Sequence, residues 1–161
     1  MATLIGNIID LAENGDLDVI VHGCNCFCTM GKGLAWEIRQ RYPEAYEADC
    51  FTPKGDISKL GGYSWVRVLA PSGYPFLIIN AYTQYKYGDF GPNRPRHVDY
   101  NAISSVFKLM AQTMKYLRIG YPKIGAGLGG GDWDVIQRII NAELVGMTHF
   151  LVKLGGNYGN V

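Results

Sequence analysis

The sequence predicts an α/β fold of three layers, in which a mixed, mostly parallel β-sheet lies between two layers of helices. Short runs rich in β-branched residues alternate along the chain with segments of helical period, which is the pattern that builds parallel sheets. One run, residues 76–79, is apolar at every position, as expected for a strand covered on both faces. With 161 residues the chain has the length of one domain, and we expect a single domain over residues 1–161.

Four strands and one helix are expected in the first half of the chain. The strands are expected at residues 3–5, 19–21, 63–69 and 76–81, and the helix at residues 33–41. Within this helix Leu34, Trp36 and Ile38 are available for burial, and Pro43 would close it. Residues 6–10, at the end of the first strand, could contribute to a ligand site, and the alternative is a plain exit from strand to loop.

The second half is expected to alternate helices and strands in the same way. A stripe that steps by three or four residues predicts a helix after Asp99, with the core positions Ile103, Val106, Phe107, Met110, Met114 and Leu117. Asp132 can cap a second helix, whose stripe is Trp133, Ile136, Ile139, Ile140 and Leu144. Strands are expected near residues 117–119 and at 148–154, a functional loop at 82–97 and a frayed tail at 155–161.

Composition and charge exclude several classes of function. The 48% apolar and 18% charged residues are ordinary for a soluble globular protein. No apolar run approaches the roughly 18 residues of a membrane span, and residues 1–10 lack the basic start of a signal peptide, so we expect a cytoplasmic protein with no membrane partner. We also expect a monomer. A net charge of +1 gives no basic surface for broad nucleic-acid binding, although a local site for a small anion is compatible with it.

The four cysteines do not resemble the disulfide framework of a secreted protein. Three of them form the pattern Cys24-x-Cys26-x-Cys28, and in a chain of this length we expect reduced thiols. A zinc site needs four ligands, and only Cys50 and three scattered histidines could complete the set. The Cys-x5-Arg loop of thiol phosphatases is missing as well. We therefore expect no metal and no cofactor.

Two glycine-containing segments, residues 21–35 and 125–132, join a predicted strand to a predicted helix. Glycines allow a ligand to approach the backbone, and a helix start offers unpaired N–H groups to an anion. Two such junctions suit a pyrophosphate that links two sugars, because successive N–H groups can cradle both phosphates. Tight turns and close packing are the alternative explanation. Neither segment is a Walker loop or the dinucleotide-binding pattern.

Four segments, taken together and in this order, resemble macro domains. They are Gly6-Asn7-Ile8, Val21-His22-Gly23-Cys24-Asn25, Met30-Gly31-Lys32-Gly33-Leu34-Ala35 and Pro122-Lys123-Ile124-Gly125-Ala126-Gly127-Leu128. The resemblance covers nearly the whole chain and is greatest to the stand-alone branch, which contains ADP-ribose-1″-phosphate phosphatases, terminal ADP-ribose glycohydrolases and antitoxins that remove ADP-ribose from DNA. It implies a three-layer α/β/α macro domain whose partners are ADP-ribose, ADP-ribose 1″-phosphate or ADP-ribosylated macromolecules.

The resemblance also implies roles for individual residues. Asn7 and Ile8 correspond to the residues beside adenine, although many members have Asp at the first of these positions. Asn25 corresponds to the asparagine that contacts the distal ribose, and Cys24 and Gln84 belong to the same implied ligand-binding set. The loop that wraps the ribose and diphosphate corresponds to Met30, Gly31, Lys32, Gly33, Leu34 and Ala35. The second diphosphate loop corresponds to Gly125, Ala126, Gly127, Leu128, Gly129 and Gly130.

Departures from the family pattern favour one chemistry over another. Members that cleave glycosidic bonds place a Lys after the strand equivalent to residues 78–82, where this chain has Gln84, and Lys86 lies two residues further on. The Asp that those glycohydrolases have in the second glycine loop is missing too, since Gly129 stands near that position. Lysine-based cleavage is therefore disfavoured. His22, directly before the Gly-Cys-Asn segment, resembles the phosphatase members.

The sequence therefore predicts a phosphoric monoester hydrolase that converts ADP-ribose 1″-phosphate to ADP-ribose and phosphate without a metal. Asn25 would fix the distal ribose, and His22 or Asp132 would orient or deprotonate the attacking water. The alternative for His22 is a hydrogen-bonded core imidazole, and for Asp132 a helix cap. Two other functions stay open, namely binding of ADP-ribose without turnover and removal of ADP-ribose from protein carboxylates or nucleobases.

Overall fold

The computed structural model describes residues 2–88 and 96–155 of the chain. Its six strands are β1 (Ala2–Ile5), β2 (Val19–Cys24), β3 (Tyr63–Leu69), β4 (Pro75–Tyr82), β5 (Ile119–Tyr121) and β6 (His149–Lys153). Its α-helices are α1 (Ile8–Glu13), α2 (Gly33–Arg41), α3 (Pro43–Cys50), α4 (Tyr100–Thr113) and α5 (Trp133–Glu143), and a short 3₁₀ helix covers Ile57–Lys59. Within the described ranges no helix is long and apolar enough to cross a membrane. Most of the expected frayed tail (156–161) and part of the expected loop (89–95) lie outside the described residues.

The six strands form one sheet in the order β1-β6-β5-β2-β4-β3. Neighbouring strands are parallel except β3 and β4, which pair antiparallel at one edge. The longest parallel pairing joins β2 to β4, from Val19 opposite Leu77 to Cys24 opposite Tyr82. The mixed, mostly parallel sheet expected from the sequence is confirmed.

Two apolar cores, one on each face of the sheet, hold the helices in place. One core contains buried side chains of α1, α2, α3 and the sheet, among them Ile9, Ile38, Ala45 and Ile20. The other contains buried side chains of α4, α5 and the sheet, among them Val106, Ile140, Val19 and Val21. Successive residues of β2 contribute to opposite cores because side chains alternate across a strand. This arrangement gives the three layers that the alternating pattern predicted.

Two helices, α1 and α3, are present where the sequence did not predict a helix. Residues 6–10 are not a plain exit from β1, because Asn7 caps α1 by accepting hydrogen bonds from the backbone N–H groups of Ile9 and Asp10. Pro43 does more than follow the end of α2, since it is the first residue of α3. Proline suits this position because the first turn of a helix needs no N–H donor there.

Smaller differences concern burial and strand ends. Trp36 is 50% exposed and does not belong to the core, whereas Ile38 is fully buried as expected. The strand expected near residues 117–119 is β5, which begins at Ile119, where its pairing with β2 and β6 starts. Tyr82 was expected in a loop, but it continues the pairing with β2 and ends β4.

Gly120 in β5 lies against the side chain of Leu17. A Cβ atom on Gly120 would be 2.5 Å from Leu17 Cδ1, which is closer than carbon atoms approach in folded proteins. Leu17 is fully buried, so it could make room only by repacking within the core. A residue larger than glycine at position 120 would therefore force the Leu17 side chain to shift.

An ion pair ties the start of β2 to the start of β5. Asp18 Oδ1 accepts from Arg118 Nη2 at 2.9 Å, and Asp18 Oδ2 accepts from Arg118 Nε at 3.0 Å and from the Arg118 backbone N–H at 2.8 Å. This two-pronged geometry fixes orientation as well as distance. The hydrogen bonds from Arg118 lower the pKa of the Asp18 carboxyl below its usual value.

We expect Asp18→Asn to lower the free energy of unfolding by about 1 kcal/mol at neutral pH, a modest cost because both side chains are partly exposed to solvent. A lowered folded-state pKa stabilises the fold above the ordinary aspartate pKa of about 4, and this contribution is lost as the pH falls through the folded-state pKa. Urea unfolding at several pH values measures the difference. The exposed Asp16→Asn serves as control, and a deficit that stays constant from pH 7 to below pH 3 would contradict the assignment.

Candidate functional site

A pocket of about 390 Å³ opens at the edge of the sheet where the parallel strands β2 and β4 end. Ligands of open α/β sheets bind at this edge, and the volume lies within the usual range for small-molecule sites. The predicted site residues that line it are Cys24, Asn25, Met30, Gly31, Lys32, Ala35, Gln84 and Leu128. They come from the β2–α2 loop (residues 25–32) and its two flanking elements, from the segment after β4, and from the glycine loop (residues 125–131).

Asn25 shapes the β2–α2 loop and keeps part of its amide free. Its Oδ1 accepts from the backbone N–H of Phe27 at 2.8 Å, and its Nδ2 donates to Thr29 Oγ1 at 2.7 Å. A side-chain amide carries two N–H donors and two acceptor positions, so one of each is left for a ligand. The geometry suits the predicted contact with a ribose hydroxyl, and that role stays a prediction.

The β2–α2 loop is held in a strained conformation. Cys28 and Met30 have positive φ angles of 57° and 37°, which residues other than glycine rarely adopt. Each such residue costs on the order of 1–3 kcal/mol, and this kind of strain clusters at binding and catalytic sites. Burial of Met30 (3% exposed) and a hydrogen bond from Cys28 Sγ to the carbonyl oxygen of Asp49 hold the loop in place.

The N-terminus of α2 faces the same pocket without a side-chain cap. Lys32 is the N-cap residue, and it makes no capping hydrogen bond with its side chain. The first backbone N–H groups of the helix are therefore not satisfied by a cap, and Gly31, Lys32 and Ala35 line the pocket beside them. Such a helix start is suited to bind an anion.

The glycine loop combines close packing with access to the pocket. A Cβ on Gly125 or Gly131 would lie 2.6 Å from methyl groups of Val98, and one on Gly129 would lie 2.7 Å from the carbonyl oxygen of Gly125. A Cβ on Gly127, in contrast, would meet nothing within 4 Å. Packing thus explains three of the glycines, and the loop reaches the pocket through Leu128.

Several predicted ligand-binding residues lie outside the lining. Asn7 is engaged as the cap of α1, and its Nδ2 donates to Glu37 Oε1 on α2 at 2.9 Å. Ile8 is buried in the core. The other predicted residues are close in sequence to residues that line the pocket but do not line it themselves. They are Gly33, Leu34, Gly125, Ala126, Gly127, Gly129 and Gly130. Their contacts with a ligand stay predictions.

Neither of the two residues predicted to activate water lines the pocket. Asp132 is exposed and caps α5 by accepting from the N–H of Asp134 at 2.9 Å. His22 is 2% exposed, and burial lowers the pKa of its imidazole to about 4, so the ring is uncharged at neutral pH. Asp132 is thus a helix cap and His22 a core imidazole, which are the alternatives that the sequence also allowed.

A buried chain of hydrogen bonds runs beneath the pocket from His22 to Asp49. His22 Nε2 is 2.6 Å from Asn80 Oδ1, and Asn80 Nδ2 is 3.0 Å from Ser64 Oγ. Ser64 Oγ is 2.8 Å from the hydroxyl of Tyr82, which is 2.7 Å from Asp49 Oδ1. Asp49 is itself one of the residues that line the pocket. The chain therefore connects the core of the sheet to the site.

Sequence reasoning did not single out every residue of the lining. The additional ones are Gly23, Thr29, Asp49, Tyr87 and Gly88. Tyr87 and Gly88 belong to the segment that was expected to be a functional loop. Asp49 was missed because α3 was missed, although Pro43 marks a helix start and the four-residue step from Ala45 to Asp49 puts both on one helix face.

The cysteines near the pocket are free and mostly buried. Cys24 and Cys26 are buried, and burial raises the pKa of both thiols, whereas Cys50 is exposed. Raised pKa values disfavour the thiolate that a nucleophile or a metal ligand requires. Over residues 2–88 and 96–155, no group of three or more histidine, cysteine or acidic side chains is arranged to hold a metal ion.

We expect iodoacetamide at pH 8 to alkylate Cys50 well before Cys24 and Cys26, because the reagent needs both access and thiolate. Peptide mass spectrometry after timed quenching measures the order, and labelling in urea shows that all the thiols are reactive once exposed. Cys50→Ser should remove the fast phase. Alkylation of Cys24 at the rate of Cys50 in the folded protein would contradict the burial described here.

Comparison with known proteins shows what this arrangement is similar to. An uncharacterized 17.5 kDa protein of Enterobacteria phage T4 is 35% identical over 137 residues, which are 84% of each chain. The DNA ADP-ribosyl glycohydrolase of Mycobacterium tuberculosis is 30% identical over 131 residues, which are 79% of this chain but 35% of that protein. The chain thus spans about a third of the glycohydrolase.

The fold is shared with solved structures as well. The Trypanosoma brucei macrodomain, solved in complex with ADP-ribose, superposes with a TM-score of 0.62 at 17% identity, over 94% of this chain and 62% of that one. The family model for the Macro domain matches residues 21–140, which include the β2–α2 loop and the glycine loop. This match covers most of the chain and both segments that flank the pocket. The chain therefore belongs to the macro domain family.

Proposed function

We propose that this chain binds ADP-ribose in the pocket and hydrolyses ADP-ribose 1″-phosphate to ADP-ribose and phosphate. The observation that carries the proposal is the meeting of the β2–α2 loop, the uncapped start of α2 and the glycine loop at one pocket. A nucleotide sugar joined by a diphosphate needs these features together, because each phosphate requires donors and each sugar requires hydroxyl partners. The ADP-ribosyl chemistry named for the mycobacterial relative supports the choice of ligand.

The pocket offers more binding groups to the diphosphate than to any other part of the ligand. Backbone N–H groups at the start of α2 and the charge of Lys32 can meet one phosphate, and the glycine loop can approach the other. Asn25 keeps a donor and an acceptor for the distal ribose. The bond to be broken is then at the 1″ position, beyond that ribose.

Hydrolysis of a phosphate ester suits the side chains at that end of the pocket. Water attacks phosphorus, the bond between phosphorus and the 1″-oxygen breaks, and the ribose leaves with a hydroxyl group. Positioning and charge stabilisation dominate such reactions, so the chain needs no covalent intermediate. Gln84, which by the family resemblance corresponds to the lysine of the glycosidic-bond-cleaving members, lines the pocket, and Lys86 is exposed and outside the lining.

A second candidate is removal of ADP-ribose from a DNA base. The relatives from Mycobacterium tuberculosis and Thermus aquaticus, described as DNA ADP-ribosyl glycohydrolases, favour it. This reaction would use the same ADP-ribose site, but water would attack C1″ in place of phosphorus, the bond between C1″ and the base would break, and the base would leave with a proton. Binding without turnover is the third outcome that the experiments must separate.

Calorimetric titration with ADP-ribose should show saturable binding to the wild-type protein. We expect Gly127→Glu to weaken it at least tenfold, equivalent to about 1.4 kcal/mol, because the new carboxylate lies in the loop proposed to approach a phosphate. The fold should survive, since a Cβ at this position meets nothing within 4 Å. Val145→Glu adds the same charge at an exposed residue before the amino end of β6, away from the pocket, and should bind normally. Equal affinity of the two variants would remove the glycine loop from the site.

Incubation with a panel of substrates tests the reaction itself. We expect release of phosphate from ADP-ribose 1″-phosphate to exceed release of ADP-ribose from modified DNA or modified protein. Turnover should persist after exhaustive treatment with EDTA, because the proposed reaction uses no metal. Faster cleavage of modified DNA would select the second candidate, and binding without any turnover would identify a reader. Loss of activity with EDTA and its return with zinc would contradict the metal-free mechanism.

A further inference from the structure

One oxygen of Asp49 has no hydrogen-bond partner although it is buried. The residue is 1% exposed, and it lines the pocket from α3. Its Oδ1 is occupied by the Tyr82 hydroxyl, whereas Oδ2 has no partner among the described residues. A buried carboxylate oxygen without a partner is costly, and such groups are rare in folded proteins. Oδ2 can therefore accept one more hydrogen bond, and it belongs to a residue that lines the pocket.

The direction of each hydrogen bond beneath Asp49 can be derived from the donors available. Both N–H groups of the Asn80 amide are used, by the carbonyl oxygen of Ala45 and by Ser64 Oγ, so Asn80 Oδ1 is the acceptor and His22 Nε2 donates to it. Ser64 then donates to the Tyr82 hydroxyl, and Tyr82 donates to Asp49 Oδ1.

Every donor in this chain therefore points towards Asp49. A carboxyl group that accepts at Oδ1 can carry a proton only on Oδ2, the oxygen without a partner. The chain also fixes the orientation of the carboxylate, because Tyr82 is itself held by Ser64. The arrangement is that of a general base, which needs one oriented oxygen free to receive a proton.

Lys59 supplies positive charge nearby without occupying that oxygen. Its Nζ donates to the Cys26 carbonyl oxygen at 3.1 Å and to Cys28 Sγ at 3.5 Å, and it lies 4.7 Å from the centre of the Tyr82 ring. The ammonium group favours the ionised carboxylate of Asp49 through space. A buried carboxylate normally loses its charge, so this cation helps to keep the base in its active form.

We propose that Asp49 is the general base of the proposed hydrolysis and that Tyr82, Ser64, Asn80 and His22 position it. Asp49 Oδ2 removes a proton from the water whose oxygen forms the new bond to phosphorus. The bond from phosphorus to the 1″-oxygen breaks, that oxygen takes up a proton, and Asp49 returns its own proton to solvent. This inference rests on the proposed function and adds the residue that activates water.

The base has a defined dependence on pH. Burial raises the pKa of Asp49, and hydrogen bonding from Tyr82 and the charge of Lys59 oppose that effect. The ionisable groups near it come from β4, the 3₁₀ helix, the end of β2, the β2–α2 loop and α3 itself. They are Tyr82, Lys59, Cys24, Cys26, Cys28 and Tyr46. Because the ionised form acts, kcat should fall as the pH drops through the pKa of Asp49.

The decisive variant is Asp49→Asn, which keeps the shape and the acceptor for Tyr82 but cannot take a proton. We expect kcat to fall by about 10²–10⁴-fold, the usual share of a general base. The affinity for ADP-ribose in calorimetry should stay within about threefold, and thermal unfolding should confirm the fold. Glu47→Gln removes an exposed carboxylate from the same helix and should leave kcat unchanged. A variant that loses affinity in place of kcat, or loses neither, overturns the proposal.

Tyr82→Phe separates positioning from a structural role. Loss of the donor to Oδ1 should raise the pKa of Asp49, so the acidic limb of the kcat–pH profile should move to higher pH. An unchanged limb overturns the positioning chain. If the substrate panel selects modified DNA, both variants are measured with that substrate, because water must be activated there too. A wild-type protein that turns over nothing contradicts the proposed function, whereas an active wild type with an equally active Asp49→Asn contradicts only this inference.

Discussion

The parallel pairing of β2 with β4 is the contact on which the pocket depends. Its register places Cys24 opposite Tyr82, so the segments that leave both strands enter the same space. The same register sets His22 opposite Asn80, which starts the hydrogen-bond chain to Asp49. Because side chains alternate along a strand, a slip of one residue would turn Tyr82 to the other face of the sheet, away from α3. One set of backbone hydrogen bonds thus determines both where the pocket opens and how His22 aligns with Asn80.

Much of this framework could be predicted from the sequence, because the spacing of apolar residues reflects which faces are buried. The stripes of α4 and α5 and the wholly apolar run of β4 identified the layers correctly. The strand–glycine–helix junctions identified the edge of the sheet where Asn25, Lys32 and Leu128 line one pocket. Those residues are near the glycines in the chain, and local sequence patterns are informative at that distance.

Other features depend on contacts between residues distant in the chain. Helix α1 has six residues and α3 eight, too few turns for a helical period to be evident. Asp49 and Tyr82 are 33 positions apart in the sequence, and His22 and Asn80 are 58 apart, so no local sequence pattern predicts either hydrogen bond. The sequence is compatible with His22 both as a catalyst and as a core imidazole. Only the fold shows that it lies in the core, at the far end of the hydrogen-bond chain that leads to Asp49.

The contact between Gly120 and Leu17 couples these two positions energetically. A methyl group at position 120 would overlap the Leu17 side chain, so Gly120→Ala should cost less when position 17 carries a smaller residue. The smaller residue alone leaves a void against β5. The free-energy costs of the two substitutions are therefore not additive, and the double variant should be more stable than the sum of the single variants implies.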